Sequence, residues 1–117
     1  YRRTAILTAS PEKLIVLLYE GAIRHLERIR IGLSAPAQRY SEQVGLSFNK
    51  AIGIVAELRT SLDAEKGKEV AQNLDALYGF CLDQLSDANA KREPEPIENA
   101  LTIMRTLKEG WDAVIPN

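Results

Sequence analysis

Few side chains in this sequence could carry catalysis or bind a metal. Its 117 residues include one histidine, His25, and one cysteine, Cys81. Helical proteins that hold a metal in their core repeat a Glu-x-x-His motif on different helices, which a single histidine cannot do. His25 lies beside the apolar positions of its predicted helix, so we interpret it as a structural or solvated residue. The sequence therefore predicts no metal site.

The remaining candidates for chemistry also have simpler interpretations. Cys81 falls on an apolar helix face, where cysteine acts as a small apolar side chain, and no activating base can be identified beside it. Asp83 and Asp87 stand one helical turn apart and could bind a cation or transfer protons, but a solvated face explains them more simply. The glycines are isolated and form no phosphate-binding loop. We expect a protein that is not an enzyme and needs no cofactor.

The charge pattern excludes further classes of partner. The chain has 15 basic and 16 acidic residues, and the two signs alternate along the first predicted helix. This mixture is typical of an ion-paired solvent face, so we expect no nucleic-acid partner. A single cysteine cannot form an internal disulfide, which favours a reducing, cytoplasmic compartment. No apolar run reaches the roughly 18 residues of a membrane-spanning helix and no signal peptide is visible, so membrane insertion is not expected.

Four helices must position these side chains, because apolar residues recur every three or four positions throughout. Ser10 suits an N-cap and Pro11 the first helical position, while Gly32 and Pro36 are expected to end the first helix. The predicted helices cover residues 10–31, 41–62, 68–91 and 96–114. Connections of only a few residues make neighbouring helices antiparallel. The expected fold is all-α, an antiparallel up-and-down four-helix bundle.

The apolar face of each predicted helix defines the expected core. On the first two helices it consists of Leu14, Ile15, Leu18, Ala22, Leu26, Ile29 and Leu33, then Val44, Phe48, Ala51, Ile52, Val55, Leu58 and Leu62. On the last two it consists of Val70, Leu74, Leu77, Tyr78, Cys81, Leu85 and Ala88, then Ile97, Ala100, Leu101, Met104, Leu107 and Trp111.

Other apolar residues lie away from these faces on all four helices. At about 100° of rotation per residue, they fall at the margin of the apolar face or on its far side. They are Val16, Leu17, Ile23, Leu46, Phe80, Leu82 and Ile103. Helix ends or a homodimer contact could cover them. Together they could also form exposed strips on which the helices of a partner lie. We predict this partner-binding role for Leu17, Ile23, Leu46, Phe80, Leu82 and Ile103.

The segment before Ser10 is too short to be a domain of its own. Tyr1, Ile6 and Leu7 are apolar enough to pack on the bundle as a movable cap over an apolar groove, although a frayed terminus is the alternative. We therefore expect a cap segment, residues 1–9, followed by the bundle, residues 10–117. These three apolar residues join the predicted partner-binding set.

Several motifs are similar to those of a known family, the flagellar secretion chaperones or FliS family. Its opening motif resembles TASPEKLI at residues 8–15 followed by LYEGAI at residues 18–23, and Tyr1 stands the expected distance before it. Its third helix resembles NLDALY at residues 73–78, and the end of its fourth helix resembles Leu107 with Trp111. The family usually has Asp where Glu20 stands and commonly an aromatic where His25 stands.

The resemblance implies a function as well as a fold. A member of this family would bind the C-terminal helical region of flagellin in the cytoplasm, block its premature polymerisation and deliver it to a component of the flagellar export gate. A disordered partner that folds on binding can wrap a large surface in this way. Two alternatives stay open: a helical-bundle enzyme or metal protein, and a structural oligomer in which the off-face residues form a dimer contact. The oligomeric state is not predicted.

Overall fold

Within residues 10–114 the chain forms four helices, as the sequence predicts. The structure is a computed structural model that describes residues 10–114, apart from the side chains of residues 64–66. The helices are α1 (Pro11–Ser34), α2 (Glu42–Thr60), α3 (Ala64–Lys91) and α4 (Glu95–Val114). No strand occurs within residues 10–114. The predicted all-α class is confirmed.

The helices pack as a square in which each contacts its two neighbours. Helix α1 packs against α2 and α4, and α3 packs against the same two helices from the opposite corner. Arg59, near the end of α2, donates to Asp75, near the start of α3, at 2.7 Å. Asn99 in the first turns of α4 donates to Gln84 in the second half of α3 at 2.9 Å. Neighbouring helices are therefore antiparallel, and the up-and-down four-helix bundle is confirmed.

Serine side chains begin the first two helices. The Ser10 hydroxyl accepts a hydrogen bond from the Lys13 backbone N–H at 3.3 Å, and Pro11 follows at the first helical position. The Ser41 hydroxyl accepts from the Val44 N–H at 3.2 Å. Each hydroxyl satisfies one of the backbone donors that a helix N-terminus leaves without a partner. The predicted N-cap at Ser10 is confirmed.

Two predicted helix boundaries differ from those that the structure shows. Helix α1 continues past Gly32 to Ser34. Gly32 therefore lies inside the helix and does not end it. A Cβ at this position would collide with Val44 Cγ2 of α2, so the glycine allows the two helices to pack closely. Helix α3 begins at Ala64, but Lys68 interrupts it with a φ of 44° and a ψ of −115°. Positive φ is unfavourable for a lysine, and the regular part of α3 follows this break.

The core contains most of the predicted residues, with exceptions in both directions. Ala71 is buried although it was not predicted, and Leu14 and Leu77 were predicted but lie outside the core cluster. Tyr19 is fully buried although the prediction left it out. Its hydroxyl hydrogen-bonds that of Tyr78, which allows a polar group to be buried. Val70 was placed in the core but is 65% exposed, because it stands in the first turn of regular helix after Lys68, at the end of the bundle.

Candidate functional site

An open apolar pocket lies at the end of the bundle where α1 begins. Its volume is about 310 Å³, and all four helices contribute to its walls. The side chains that line it are mostly apolar and come from near the beginning or end of their helices. They are Ile15, Leu58, Ser61, Leu62, Asp63, Gly67, Val70, Ala71, Leu74, Tyr78 and Trp111. We call this site the end pocket.

Two tyrosines connect this pocket with the core. Tyr78 lines the pocket, and its hydroxyl hydrogen-bonds the Tyr19 hydroxyl across the diagonal from α3 to α1. Burial raises the pKa of Tyr19. Hydrogen bonds with Tyr78 and Trp111 lower this pKa and so offset part of the effect of burial. Burial and the bond with Tyr19 raise the pKa of Tyr78. Both phenols are therefore neutral at physiological pH, and an apolar side chain entering the pocket meets no charge from them.

At the opposite end of the bundle, an arginine side chain covers the apolar rings. Arg92 follows α3 with a φ of 57° and places its guanidinium over the rings of Tyr40 and Phe48, 5.6 and 5.4 Å from the ring centres. Cation–π contacts of this kind stabilise the end where they form. Phe48 is buried beneath the arginine. The two ends therefore differ in what covers their apolar side chains.

The side chains considered for catalysis do not form a reactive site. Cys81 is fully buried, and burial raises the pKa of its thiol to about 12, which keeps it protonated at neutral pH. His25 is 8% exposed on α1. Asp87 forms an ion pair with Lys91 at 3.2 Å. Within residues 10–114, no three His, Cys, Asp or Glu side chains are grouped so that they could hold a metal ion.

Two of the predicted partner-binding residues face each other across the seam between α3 and α4. Phe80 stands one turn before Gln84, and Ile103 stands one turn after Asn99. Because Gln84 and Asn99 are hydrogen-bonded, the antiparallel register places Phe80 opposite Ile103. Phe80 is 44% exposed, while Ile103 is partly buried against the core. We call this pair, with the helix surfaces around it, the α3–α4 seam.

Two others lie on the side formed by α1 and α2. Leu17 stands one turn before Gly21, where a Cβ would lie 3.2 Å from Ile54 Cδ1 of α2. Leu46 is 53% exposed and lines a pocket between the same two helices. Leu17 is partly buried. This side of the bundle is separate from the α3–α4 seam.

The remaining described members of the set lie on the last two sides. Ile23 stands one turn before Glu27, whose carboxylate pairs with an arginine of α4. Leu82 stands one turn after Gly79, which packs against Arg59 of α2. Ile23 and Leu82, like Ile103, pack partly against the core. The sequence placed these three side chains outside the core, and that placement is wrong. They lie at the margin of an apolar face, where the contact between neighbouring helices covers them. Tyr1, Ile6 and Leu7 lie outside the described residues.

The end pocket was missed because its walls carry the ordinary core pattern. Ile15, Leu74 and Trp111 have the spacing of core residues, and only their position near helix ends distinguishes them. One signal was available in the sequence. The apolar face of the third predicted helix starts at Val70, two residues after that helix begins, which puts this side chain at an end of the bundle.

Within residues 10–114, no helix combines the length and apolar character needed to cross a membrane. The family model for the flagellar protein FliS matches residues 1–117. The flagellar secretion chaperone FliS of Vibrio cholerae is 37% identical over 108 residues, covering 92% of this chain and 77% of that protein. The chaperone FliSB of Pseudomonas aeruginosa is 34% identical over 106 residues, covering 91% and 82%. FliS of Salmonella typhimurium is 34% identical over 114 residues, covering 97% and 82%. This chain therefore belongs to the FliS family of flagellar proteins, which are chaperones and not enzymes.

Proposed function

We propose that this chain is a cytoplasmic flagellar export chaperone that binds the C-terminal helical region of flagellin. Its relatives carry the name flagellar secretion chaperone. Holding these helices prevents the premature polymerisation of flagellin, and the complex is then delivered to a component of the flagellar type III export apparatus. Binding needs no cofactor and no nucleic acid, because the contact is made by packing of side chains.

The end pocket is the observation that carries this proposal. Its apolar walls are open to solvent, and Val70 at its rim is 65% exposed. Burying apolar area contributes roughly 25 cal/mol per Å², so covering these walls with an apolar helix face is favourable. The neutral phenol of Tyr78 accommodates such a helix without an unpaired charge. These properties support a site for a helical anchor of a partner.

The arrangement of the other apolar residues favours a partner that wraps around the bundle. Phe80 and Ile103 lie on the α3–α4 seam, whereas Leu17 and Leu46 lie on the side of α1 and α2. One straight helix cannot reach both sides. A segment that is disordered alone and folds as it binds can contact separate surfaces in turn. We propose this mode for flagellin, with the nine predicted residues among its contacts.

Residues 1–9 are proposed to act as a movable cap in the free chaperone. The chain enters α1 at Ser10, at the same end of the bundle as the end pocket. Tyr1, Ile6 and Leu7 could therefore reach apolar surface that flagellin also uses. A ligand and a cap that compete for one surface make the apparent affinity depend on the fraction of uncapped protein.

A charge introduced at Phe80 tests the docking surface. In Phe80→Asp we expect flagellin to bind at least about tenfold more weakly, since the interface would bury an unpaired charge. In the chain without a partner, Phe80 is 44% exposed, so the melting temperature of Phe80→Asp should differ little from that of the wild type. The matched control is Ser86→Asp, an exposed position on another side of the same helix, which should leave the affinity unchanged. Isothermal titration with purified flagellin measures both.

A second variant distinguishes the end pocket from the seam. Val70→Asp places a charge at the pocket rim without touching the α3–α4 seam, and we expect it to weaken flagellin binding as well. Normal affinity in both Phe80→Asp and Val70→Asp would contradict docking at either surface. Normal affinity in only one of them would confine docking to the other. Circular dichroism of each variant checks that the helices are intact.

A further inference from the structure

The side of the bundle formed by α1 and α2 carries a groove of a different character from the end pocket. It consists of two adjoining pockets of about 330 and 270 Å³, and Arg28, Gln43 and Ser47 line both of them. We call it the α1–α2 groove. Its full lining is His25, Arg28, Ile31, Gly32, Gln38, Ser41, Gln43, Val44, Leu46, Ser47 and Lys50.

The floor of the groove is set by close packing of the two helices. Gly32 lies against Val44 so tightly that a Cβ on the glycine would collide with Val44 Cγ2. Ser47 is 7% exposed and His25 is 8% exposed, so the floor is buried and partly polar. The long side chains of Arg28 and Lys50 rise from this floor and are exposed. The groove is thus a built feature of the helix packing.

The charge of the groove is of one sign. Arg28 and Lys50 line it, whereas none of the described residues that line either pocket is an aspartate or a glutamate. Other cations on the surface do have an acidic partner: Arg59 pairs with Asp75, and Lys108 pairs with Asp112, each at 2.7 Å. Neither Arg28 nor Lys50 forms an ion pair within residues 10–114. A cationic groove without an internal counter-charge favours an anionic ligand.

Apolar side chains stand beside these cations at helical spacing. Ile31 is 59% exposed and follows Arg28 by three positions; Leu46 is 53% exposed and precedes Lys50 by four. Each exposed apolar residue is therefore one helical turn from a cation. A complementary ligand would have an apolar stripe along one helix face with carboxylates at its margins, which is the pattern of an acidic amphipathic helix. A small inorganic anion would leave Ile31 and Leu46 uncovered.

We propose that the α1–α2 groove is a second docking site, whose occupant is an acidic amphipathic helical segment of a protein partner. The segment lays its apolar stripe over Ile31 and Leu46, and its carboxylates meet Arg28 and Lys50. This site is distinct from the end pocket and the α3–α4 seam, and it does not depend on flagellin as the partner. Because Leu46 is also among the proposed flagellin contacts, the segment would share this side of the bundle with flagellin.

A designed peptide tests the chemistry of this groove. The probe is a helical peptide of about 18 residues, long enough to span about 27 Å. Its Leu residues recur every three or four positions to form one apolar stripe, and Glu residues flank that stripe. Titrated into isotope-labelled full-length chain, it should shift the backbone amide signals of Arg28, Ile31, Ser47 and Lys50. The same peptide with Gln for every Glu should bind about tenfold or more weakly, and raising the salt from about 0.05 to about 0.5 M should remove most of that difference.

Variants of the chain identify the cations. The double variant Arg28→Gln with Lys50→Gln should bind the acidic peptide about tenfold more weakly. The control is Lys13→Gln, at an exposed lysine at the other end of α1, and it should leave the affinity for the peptide unchanged. Phe80→Asp should also leave it unchanged, which separates failure of this site from failure of flagellin docking. The inference is overturned if the Gln peptide binds as tightly as the Glu peptide. It is equally overturned if the double variant retains full affinity, or if the shifted signals cluster around Phe80.

Discussion

The hydroxyls of Tyr19 and Tyr78 meet in a hydrogen bond that links α1 to α3 across the diagonal of the bundle. Their rings are 6.3 Å apart between centroids and inclined by 48°. Diagonal helices in the square do not pack closely along their length, so this polar contact connects elements that the helix seams leave apart. It also lies beneath the end pocket, through Tyr78. Tyr78 therefore contributes both to the stability of the bundle and to the wall of the site that we propose for a partner.

The tyrosine pair predicts a specific dependence of stability on alkaline pH. The folded pKa of both phenols is raised above the ordinary value of 10.0. Their stabilising effect is therefore fully present below about pH 10 and is lost as the pH rises toward the folded pKa, because the unfolded phenols ionise first. Urea unfolding at about pH 8 and pH 10.5 should show a fall in the free energy of unfolding, and Tyr78→Phe should reduce that fall. An equal fall in the variant would contradict the assignment.

At neutral pH the same substitution should be destabilising. Removing the Tyr78 hydroxyl leaves the buried Tyr19 hydroxyl without this hydrogen bond, which costs about 1–2 kcal/mol.

Cys81→Ala is a useful background for the pH series, because burial raises the pKa of the Cys81 thiol to about 12 and makes it titrate in the same alkaline range.

Close packing of α1 on α2 predicts opposite effects for two glycine substitutions. Gly32→Ala should destabilise the protein by about 1–3 kcal/mol, because the new methyl group collides with the stiff, branched side chain of Val44. Gly53→Ala is the matched control. A Cβ there meets nothing within 4 Å, so alanine should stabilise α2 by roughly 0.5–1 kcal/mol. Thermal and urea unfolding measure both, and equal effects of the two substitutions would exclude the close approach at Gly32.

The thiol of Cys81 should report global unfolding. It is fully buried, and burial keeps it protonated at neutral pH. A thiol reagent at about pH 7.5 should therefore modify the native protein slowly, at a rate set by opening of the bundle, and the urea-unfolded protein rapidly. Stabilising Gly53→Ala should slow the native reaction further. Rapid modification without denaturant would show that the α3 packing around Cys81 opens far more readily than its burial indicates.

Much of the fold could be predicted because each helix carries its own signal. The Ser10 cap, the Pro11 start and the apolar periodicity are local, and short connections leave little freedom in topology. Gly32 could not be interpreted from sequence, since a glycine that ends a helix and one that allows close packing look the same. The opposing Val44 belongs to another helix, and only the packed structure brings the two together.

The candidate sites were predicted less completely, for a related reason. Helical phase distinguishes side chains that point inward from those that point outward, and it identified Leu46 and Phe80 as exposed. Phase does not say where along its length a helix stops being covered, so the end pocket and the exposure of Val70 were missed. The α1–α2 groove depends on which side chains of two helices adjoin, and Arg28 with Lys50 becomes a pair only after packing.

Deleting residues 1–7 tests the proposed cap. We expect the bundle to stay folded and the binding of an apolar dye to increase, because the deleted segment no longer covers apolar surface. Affinity for flagellin should then be equal or tighter, since a competitor is gone. Weaker affinity after deletion would instead indicate that Tyr1, Ile6 or Leu7 contacts flagellin directly. Circular dichroism before and after deletion checks the helix content.

The most direct test of the proposed function is binding to flagellin with and without its C-terminal helices. Purified full-length chain and monomeric flagellin, mixed and analysed by sedimentation, should form a one-to-one complex. Removal of the C-terminal helices from flagellin should abolish that complex, while Phe80→Asp should weaken it and Ser86→Asp should not. Undiminished binding of the truncated flagellin would contradict the proposed function.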